Sequence, residues 1–351
     1  MSQIRLLIVD DSAVMRQAIR RLVQIDASIE VIGEAADGRR AVEQNAALRP
    51  DVITMDVNMP VMGGLEALTQ IMREAPTRVL VVSASTVEGA EETLQALDAG
   101  AIDVLAKPQN EVGHVHLADL SRPLLDKIHA VASANLDAVR PMSGHIPLRP
   151  TFPSSAGGDC VIVVGTSTGG PKALQAILPA LPADMPAPML IVQHMPPAFT
   201  AQMARRLNAT SAIEVREAQD GDELRPGLVL MAPGDRHLLL RDRRHVCLAS
   251  EPADAPHRPS VDQLFLSAAE VYGQQSVAVV LTGMGRDGFL GAQRLKELGA
   301  PIIAQNRETS TIFGMPGAVA ELADVVCPLG LMPAAILRAL RTLPDSRRGQ
   351  D

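Results

Sequence analysis

Short apolar runs alternate with segments of helical period in two separate blocks of this chain, and no other feature restricts the fold as strongly. In residues 1–108 the order is RLLIVD, AVMRQAIRRLV, EVIGEA, AVEQNAAL, DVITMD, GLEALTQIM, RVLVVS, EETLQALDAG and IDVLAK. Continuously apolar runs suit strands buried on both faces, and strands that alternate with helices form a parallel sheet. Five strands, each followed by a helix, are predicted here, with SRPLLDKIHAVASANL as the last helix. Residues 135–158 lose both periods and carry Pro141, Pro147, Pro150 and Pro153, the composition of a linker. From residue 159 the alternation returns as CVIVVG, KALQAILPAL, PMLIVQ, FTAQMARRLNA, LVLMAP, VDQLFLSAAEVY, SVAVVLTG, FLGAQRLKELG, PIIAQN and AAILRALRTL, with a β-hairpin predicted over HLLLRDRRHVCLAS. The expected division is a first α/β domain over 1–120, the end of its last helix and a linker over 121–158, and a second, doubly wound and mostly parallel α/β domain over 159–345.

Composition narrows the function. At 351 residues and 47% hydrophobic content, the chain can bury two cores. Its longest apolar runs are strand-sized, far below the roughly 20 residues of a membrane span. MSQIRLLIVDD also lacks the basic-then-apolar order of a secretory signal, so a cytoplasmic protein without membrane insertion is expected. Cys160, Cys247 and Cys327 are odd in number, far apart and set among apolar residues, which predicts core thiols rather than disulfides or a zinc site. Residues 1–120 hold 18 acidic against 10 basic side chains, while the remaining residues hold 22 of each. All of the net charge of −8 therefore lies in the first third; no basic stripe exists, and nucleic acid is not an expected partner.

Ligands of parallel sheets sit beyond the carboxyl ends of the strands, so the residues placed there matter most. Asp10 and Asp11 end the first predicted strand, Asp56 the third, Ser83 the fourth and Lys107 the fifth. Clustered carboxylates repel one another unless a cation intervenes, and oxygen ligands with room for water suit Mg²⁺. Such a pocket fits phosphoryl transfer onto Asp56, with the metal and Lys107 neutralising the phosphoryl oxygens. Lys107 is the only lysine among residues 1–120, against nine arginines, and a compact ammonium suits a point contact to phosphate. With IVDDSAVMR, MDVNMP, VVSA and LAKP in this order, residues 3 to about 120 resemble a response-regulator receiver domain of flavodoxin-like (βα)5 fold. The resemblance implies that Asp56 takes a phosphoryl group from a chemotaxis-type histidine kinase and that Asp10, Asp11 and Asp56 bind Mg²⁺. It further implies that Ser83 and Lys107 sense the phosphoryl group.

In the second block, VIVVGTSTGGPKAL runs from a strand through a glycine turn into a helix. Three uses fit that shape: a phosphate cradle, an exposed serine nucleophile, or a tight connection only. A P-loop needs Lys and then a hydroxyl directly after its last glycine, whereas Pro171 precedes Lys172 here. G-x-S-x-G is matched by Gly165, Ser167 and Gly169 between a strand and a helix, which favours the nucleophile. A serine nucleophile needs an imidazole to take its proton and a carboxylate to orient that imidazole. His194 follows the strand PMLIVQ, and Asp287 lies beyond SVAVVLTG among Gly283, Gly285 and Gly288; Asp262 and Asp324 are rival carboxylates. The same glycine loop can offer the Met284 amide to an oxyanion, and G-x-S-x-G logic adds the amide of Thr168.

GTSTGGP, QHMPPAFT, MAPGDRHL, HRPSVDQLF, LTGMGRDG and GMPGAVA together resemble the catalytic domain of the bacterial chemotaxis protein-glutamate methylesterases, over residues 159 to about 342. That resemblance implies Ser167 as nucleophile, His194 as base, Asp287 as its partner, and an oxyanion hole from Met284 and Thr168. It also implies cleavage of γ-glutamyl methyl esters on methyl-accepting chemotaxis receptors, with glutamine deamidation beside it and no cofactor in the second domain. The fusion leads to the expectation that phosphorylation of Asp56 relieves a restraint on Ser167. A receiver joined to an inactive scaffold, or to a DNA-binding output, would be the alternatives; the intact Ser, His and Asp oppose the first and the neutral charge balance the second.

Overall fold

The computed structural model describes residues 3–83, 87–107, 117–139 and 160–344, and the chain divides into two compact units, Met1–Arg140 and Pro141–Asp351. Most of the stretch expected as a linker lies outside the described residues. In the first unit the strands are β1 (Ile4–Val9), β2 (Ile29–Ala35), β3 (Val52–Met55), β4 (Arg78–Ser83) and β5 (Asp103–Ala106). The helices between and after them are α1 (Ala13–Val23), α2 (Gly38–Leu48), α3 (Gly64–Glu74), α4 (Val87–Asp98) and α5 (Leu117–Ala132). The strands pair in the order β2-β1-β3-β4-β5, all parallel, which is the flavodoxin-like order with its switch point between β1 and β3. Leu6 to Val9 of β1 and Val79 to Val82 of β4 are buried because helices cover both faces of these inner strands.

Local chemistry sets the ends of these elements. Ser12 caps α1 by accepting the amide of Met15, and the helix turns Ala18, Ile19, Leu22 and Val23 inward. The last helix starts at Leu117, earlier than the Ser121 read from the sequence, so Pro123 lies in its second turn rather than at its start. Only one backbone hydrogen bond is forgone there.

The second unit opens with β6 (Val161–Thr166), α6 (Gly170–Ile177), β7 (Met189–Gln193), α7 (Pro197–Thr210), β8 (Glu214–Glu217) and β9 (Leu228–Met231). The hairpin β10 (His237–Leu240) and β11 (Val246–Ala249) follows and leads into α8 (Val261–Val271). The chain then runs through β12 (Ser276–Val280), α9 (Phe289–Glu297), β13 (Ile302–Gln305), α10 (Met315–Val319), β14 (Val325–Cys327) and α11 (Met332–Thr342). Seven strands form one parallel sheet in the order β14-β13-β12-β6-β7-β9-β8. The chain winds outward from β6 through β7, then returns to build the other half from β12, which puts the switch point between β6 and β12.

Two corrections concern the periphery. β8 and β14 are edge strands that the sequence reading did not separate, and of the three cysteines expected in the core only Cys327 is buried. Cys160 and Cys247 are half-buried, the latter because β11 belongs to a two-stranded hairpin covered on one face by α8.

Candidate active site

In the first unit, the carboxyl ends of β1, β3, β4 and β5 bring the predicted pocket residues together. The Lys107 Nζ lies 2.8 Å from Asp10 Oδ2 and 2.7 Å from Asp56 Oδ2. One oxygen from each of Asp10, Asp11 and Asp56 falls within 4.8 Å of the others, with Asp10 and Asp56 buried and Asp11 exposed. The remaining Asp56 oxygen accepts the amide of Val57 at 2.8 Å, and Asp10 Oδ1 accepts the amide of Ser12 at 2.9 Å. Burial pushes the Asp56 carboxyl above its ordinary value; the Lys107 ammonium pulls it back, and the Asp10 charge pushes it up further. Burial would lower Lys107, yet its two carboxylate partners hold it above the usual ammonium value. Three carboxylates against one ammonium, one of them open to water, form an oxygen donor set that suits Mg²⁺. The Ser83 hydroxyl at the end of β4 is buried and has no hydrogen-bond partner among the described residues.

In the second unit, the sheet brings Ser167 and His194 side by side. β6 and β7 pair with Thr166 opposite Gln193, so the next residue on each strand, Ser167 and His194, leaves the sheet at the same level. On the other side, the Ser167 amide donates to the Thr282 carbonyl at 3.1 Å, tying the turn to the end of β12. Two positions of this tight turn admit only glycine. Gly169 has a φ of +80°, and a Cβ on Gly170 would lie 1.9 Å from Gln193 Oε1. α6 begins directly after, so its first amides face the turn.

His194 Nε2 lies 2.8 Å from Asp287 Oδ2. Nδ1 is therefore the ring nitrogen left for a hydroxyl. Asp287 accepts four hydrogen bonds: His194 Nε2 and the Val261 amide at 2.7 Å on Oδ2, and the Asp262 amide at 2.9 Å and Ser260 Oγ at 3.0 Å on Oδ1. It thus anchors the N-terminus of α8. Burial alone would raise the Asp287 carboxyl, but His194 and the two amides outweigh it and hold it far below the usual carboxylate range. Met284 is 38% exposed and its amide makes no hydrogen bond among the described residues. Thr168 is buried, and its carbonyl accepts Thr282 Oγ1 at 2.9 Å. The rival acids have other duties. Asp262 accepts the Gly291 amide at 2.8 Å, and Asp324 binds Lys296 and the Ile302 amide.

Four functional neighbours were not singled out from the sequence. The buried Gln193 carboxamide donates to the carbonyls of Ser167 at 2.9 Å and His194 at 3.0 Å, linking the two turns through one side chain. The His257 ring stacks on His194 with centroids 4.2 Å apart. Ser260 caps α8, and its own amide donates at 3.2 Å to Nδ1 of the fully buried His237, whose burial favours the neutral ring. HRPSVD and MAPGDRHL contain three of these residues, but only as parts of longer motifs.

Residues 162–336 match the family model of the CheB methylesterase domain, and residues 6–117 match that of the response regulator receiver domain. A protein-glutamate methylesterase/protein-glutamine glutaminase of Geobacillus kaustophilus is 44% identical over 97% of this chain and 99% of its own length. One of Thermotoga maritima is 42% identical over 95% of this chain and 98% of its own. The crystal structure of the Thermotoga maritima CheB methylesterase catalytic domain is 43% identical, covering 51% of this chain and 97% of that one with a TM-score of 0.49. Identity at this level over nearly the whole length, with both domain models matched in order, establishes that the chain belongs to the protein-glutamate methylesterase/protein-glutamine glutaminase family, in which a receiver domain precedes a CheB methylesterase domain.

Proposed function

We propose that this chain hydrolyses γ-glutamyl methyl esters, and glutamine side chains, on methyl-accepting chemotaxis receptors in the cytoplasm, and that phosphorylation of Asp56 raises its output. The observation that carries the reading is the His194 to Asp287 hydrogen bond beside the Ser167 turn at the switch point of the sheet. Ser167 Oγ attacks the ester carbonyl while His194 Nδ1 takes its proton. Asp287 keeps the other proton on Nε2 and stabilises the imidazolium. The amides of Met284 and Thr168 meet the oxyanion. Collapse of the tetrahedral intermediate breaks the ester C–O bond, and His194 returns the proton to the leaving methoxide to give methanol. Water, activated by His194, then attacks the acyl-enzyme, releasing the glutamate and restoring Ser167. With glutamine the departing group is ammonia.

In this reading residues 1–120 receive the signal, 121–158 join the domains and 159–345 perform the hydrolysis. Asp10, Asp11 and Asp56 would hold Mg²⁺, which offsets phosphoryl charge when bound. Asp56 accepts the phosphoryl group from a chemotaxis histidine kinase, Lys107 pairs with its oxygens and Ser83 donates to it. The test is methanol release from methylated receptor membranes with and without Mg²⁺ and a small phosphodonor. Wild-type release is expected to rise roughly 5- to 150-fold, the span of ordinary coupling free energies, and Asp56→Asn to show no rise. An equal rise in Asp56→Asn would remove the receiver from the mechanism.

Gln193 gives a second check on the same site. Gln193→Leu takes away both carbonyl contacts, and misplacement of a catalytic pair by even 1 Å costs on the order of 100-fold. The expected result is a fall in kcat of that order with KM little changed. A change confined to KM would place Gln193 outside the alignment of Ser167 and His194.

A further inference from the structure

The loops beside Ser167 carry two exposed arginines that no step above uses. Arg286 lies in the loop after β12, with its guanidinium carbon 4.5 Å from the centroid of the Phe289 ring. Arg307 lies in the loop after β13 and stacks 4.4 Å over Phe313. β12 and β13 are neighbours in the sheet. Phe313 bridges to Gly283, where an added Cβ would lie only 2.8 Å from Ser167 Cβ. Both arginine loops therefore border the nucleophile. Neither guanidinium has a carboxylate within ion-pair distance among the described residues.

An arginine held over an aromatic ring by a cation–π contact has less freedom left to lose, and its guanidinium carries N–H donors in a fork that matches a carboxylate. On either side of Arg286 in sequence, Met284 in the same loop and Leu290 in the first turn of α9 expose 38% and 60% of their surfaces, large values for apolar side chains. Cations beside exposed apolar groups fit a substrate segment with apolar and acidic side chains on one face. The reacting ester is neutral, so these charges are not needed for it. They address carboxylates on either side.

We infer that Arg286 and Arg307 form a carboxylate-reading rim that docks acidic protein segments around the reacting glutamyl ester. The inference rests on the methylesterase reading and extends it. Each turnover turns a neutral ester into a carboxylate and so adds one negative charge to the segment. Where several modifiable glutamates share a segment, hydrolysis of the first strengthens docking for the next, and demethylation reinforces itself.

The test uses the full chain with Mg²⁺ and a small phosphodonor, and two synthetic helical peptides. Each has one central γ-methyl glutamate, flanked by glutamates in one and by alanines in the other. Methanol release is measured for wild type, for Arg286→Gln with Arg307→Gln, and for the matching pair of lysine substitutions. Wild type is expected to favour the acidic peptide about tenfold in kcat/KM at low salt, through KM, with the preference fading as salt screens it. The glutamine pair is expected to bring the ratio near one, and the lysine pair to leave it in between. A ratio near one in wild type, or an unchanged ratio in the glutamine pair, would overturn the inference. So would an equal change on both peptides, because the rim would then act on turnover rather than on substrate. Failure of wild type to hydrolyse either peptide would overturn the esterase reading itself.

Discussion

Ser167→Ala is expected to lower methanol release from methylated receptors by at least about 10⁵-fold, the scale on which serine hydrolases lose kcat when the nucleophile is removed. The size of the loss follows from what the substitution leaves intact. The hydrogen bonds by which Ser167 holds the turn use its own backbone atoms: its amide donates to the Thr282 carbonyl, and its carbonyl accepts from the Gly170 amide and from Gln193 Nε2. Alanine keeps all three and keeps the Cβ beside Gly283. Only the hydroxyl disappears. The thermal midpoint is accordingly expected to stay within the small range of ordinary surface substitutions. Residual hydrolysis would come from the oxyanion donors and from binding. If the variant kept more than about a tenth of its rate, covalent catalysis at Ser167 would be wrong, and water activated directly by His194 would replace it.

The parts of this molecule that the sequence made legible are those where one residue type meets a short-range pattern. Inner strands read clearly because RLLIVD, RVLVVS and SVAVVLTG are buried on both faces and so stay apolar throughout. Acids at strand ends read clearly because a parallel sheet sends every strand end to one edge. β8 and β14 did not. EVRE is charged at three of its four positions because an edge strand faces water, and VVC is only three residues long. The hydroxyl, imidazole and carboxylate of the second domain could be named because glycines mark two of their loops. Gln193 could not, since its function exists only through register: it matters because β6 lies beside β7 with Thr166 opposite it. The same holds for Ser260, His237 and His257, which are gathered by the return of the chain from the hairpin into α8. Long-range packing makes these contacts, and no local spacing encodes them.

Asp287→Asn is the sharper test of the triad, because the carboxylate is asked to do two things at once. Each of its oxygens accepts two hydrogen bonds, Oδ2 from His194 Nε2 and the Val261 amide, Oδ1 from Ser260 Oγ and the Asp262 amide. An asparagine must put its NH₂ at one of these positions. Either rotamer then sets a donor against a backbone N–H, and a buried amide is left unsatisfied at a cost of about 1 to 3 kcal/mol. The thermal midpoint of the catalytic unit is expected to fall by several degrees. Catalysis falls further. Without a carboxylate on Nε2, the tautomer with Nδ1 free to take the Ser167 proton is no longer enforced, and losses of about 10⁴-fold in kcat accompany such a change. The pH dependence has a definite sign. The folded carboxyl lies below its unfolded value of 3.8, so its stabilising contribution is complete above that value and is lost as pH falls through the lower, folded one. Asp287 therefore stays ionised wherever the enzyme is assayed near neutrality, and any loss of rate between pH 7 and 5 belongs to another group. Were Asp287→Asn to lower the thermal midpoint while leaving kcat within tenfold, the carboxylate would be only the anchor of α8, and His194 would act without it.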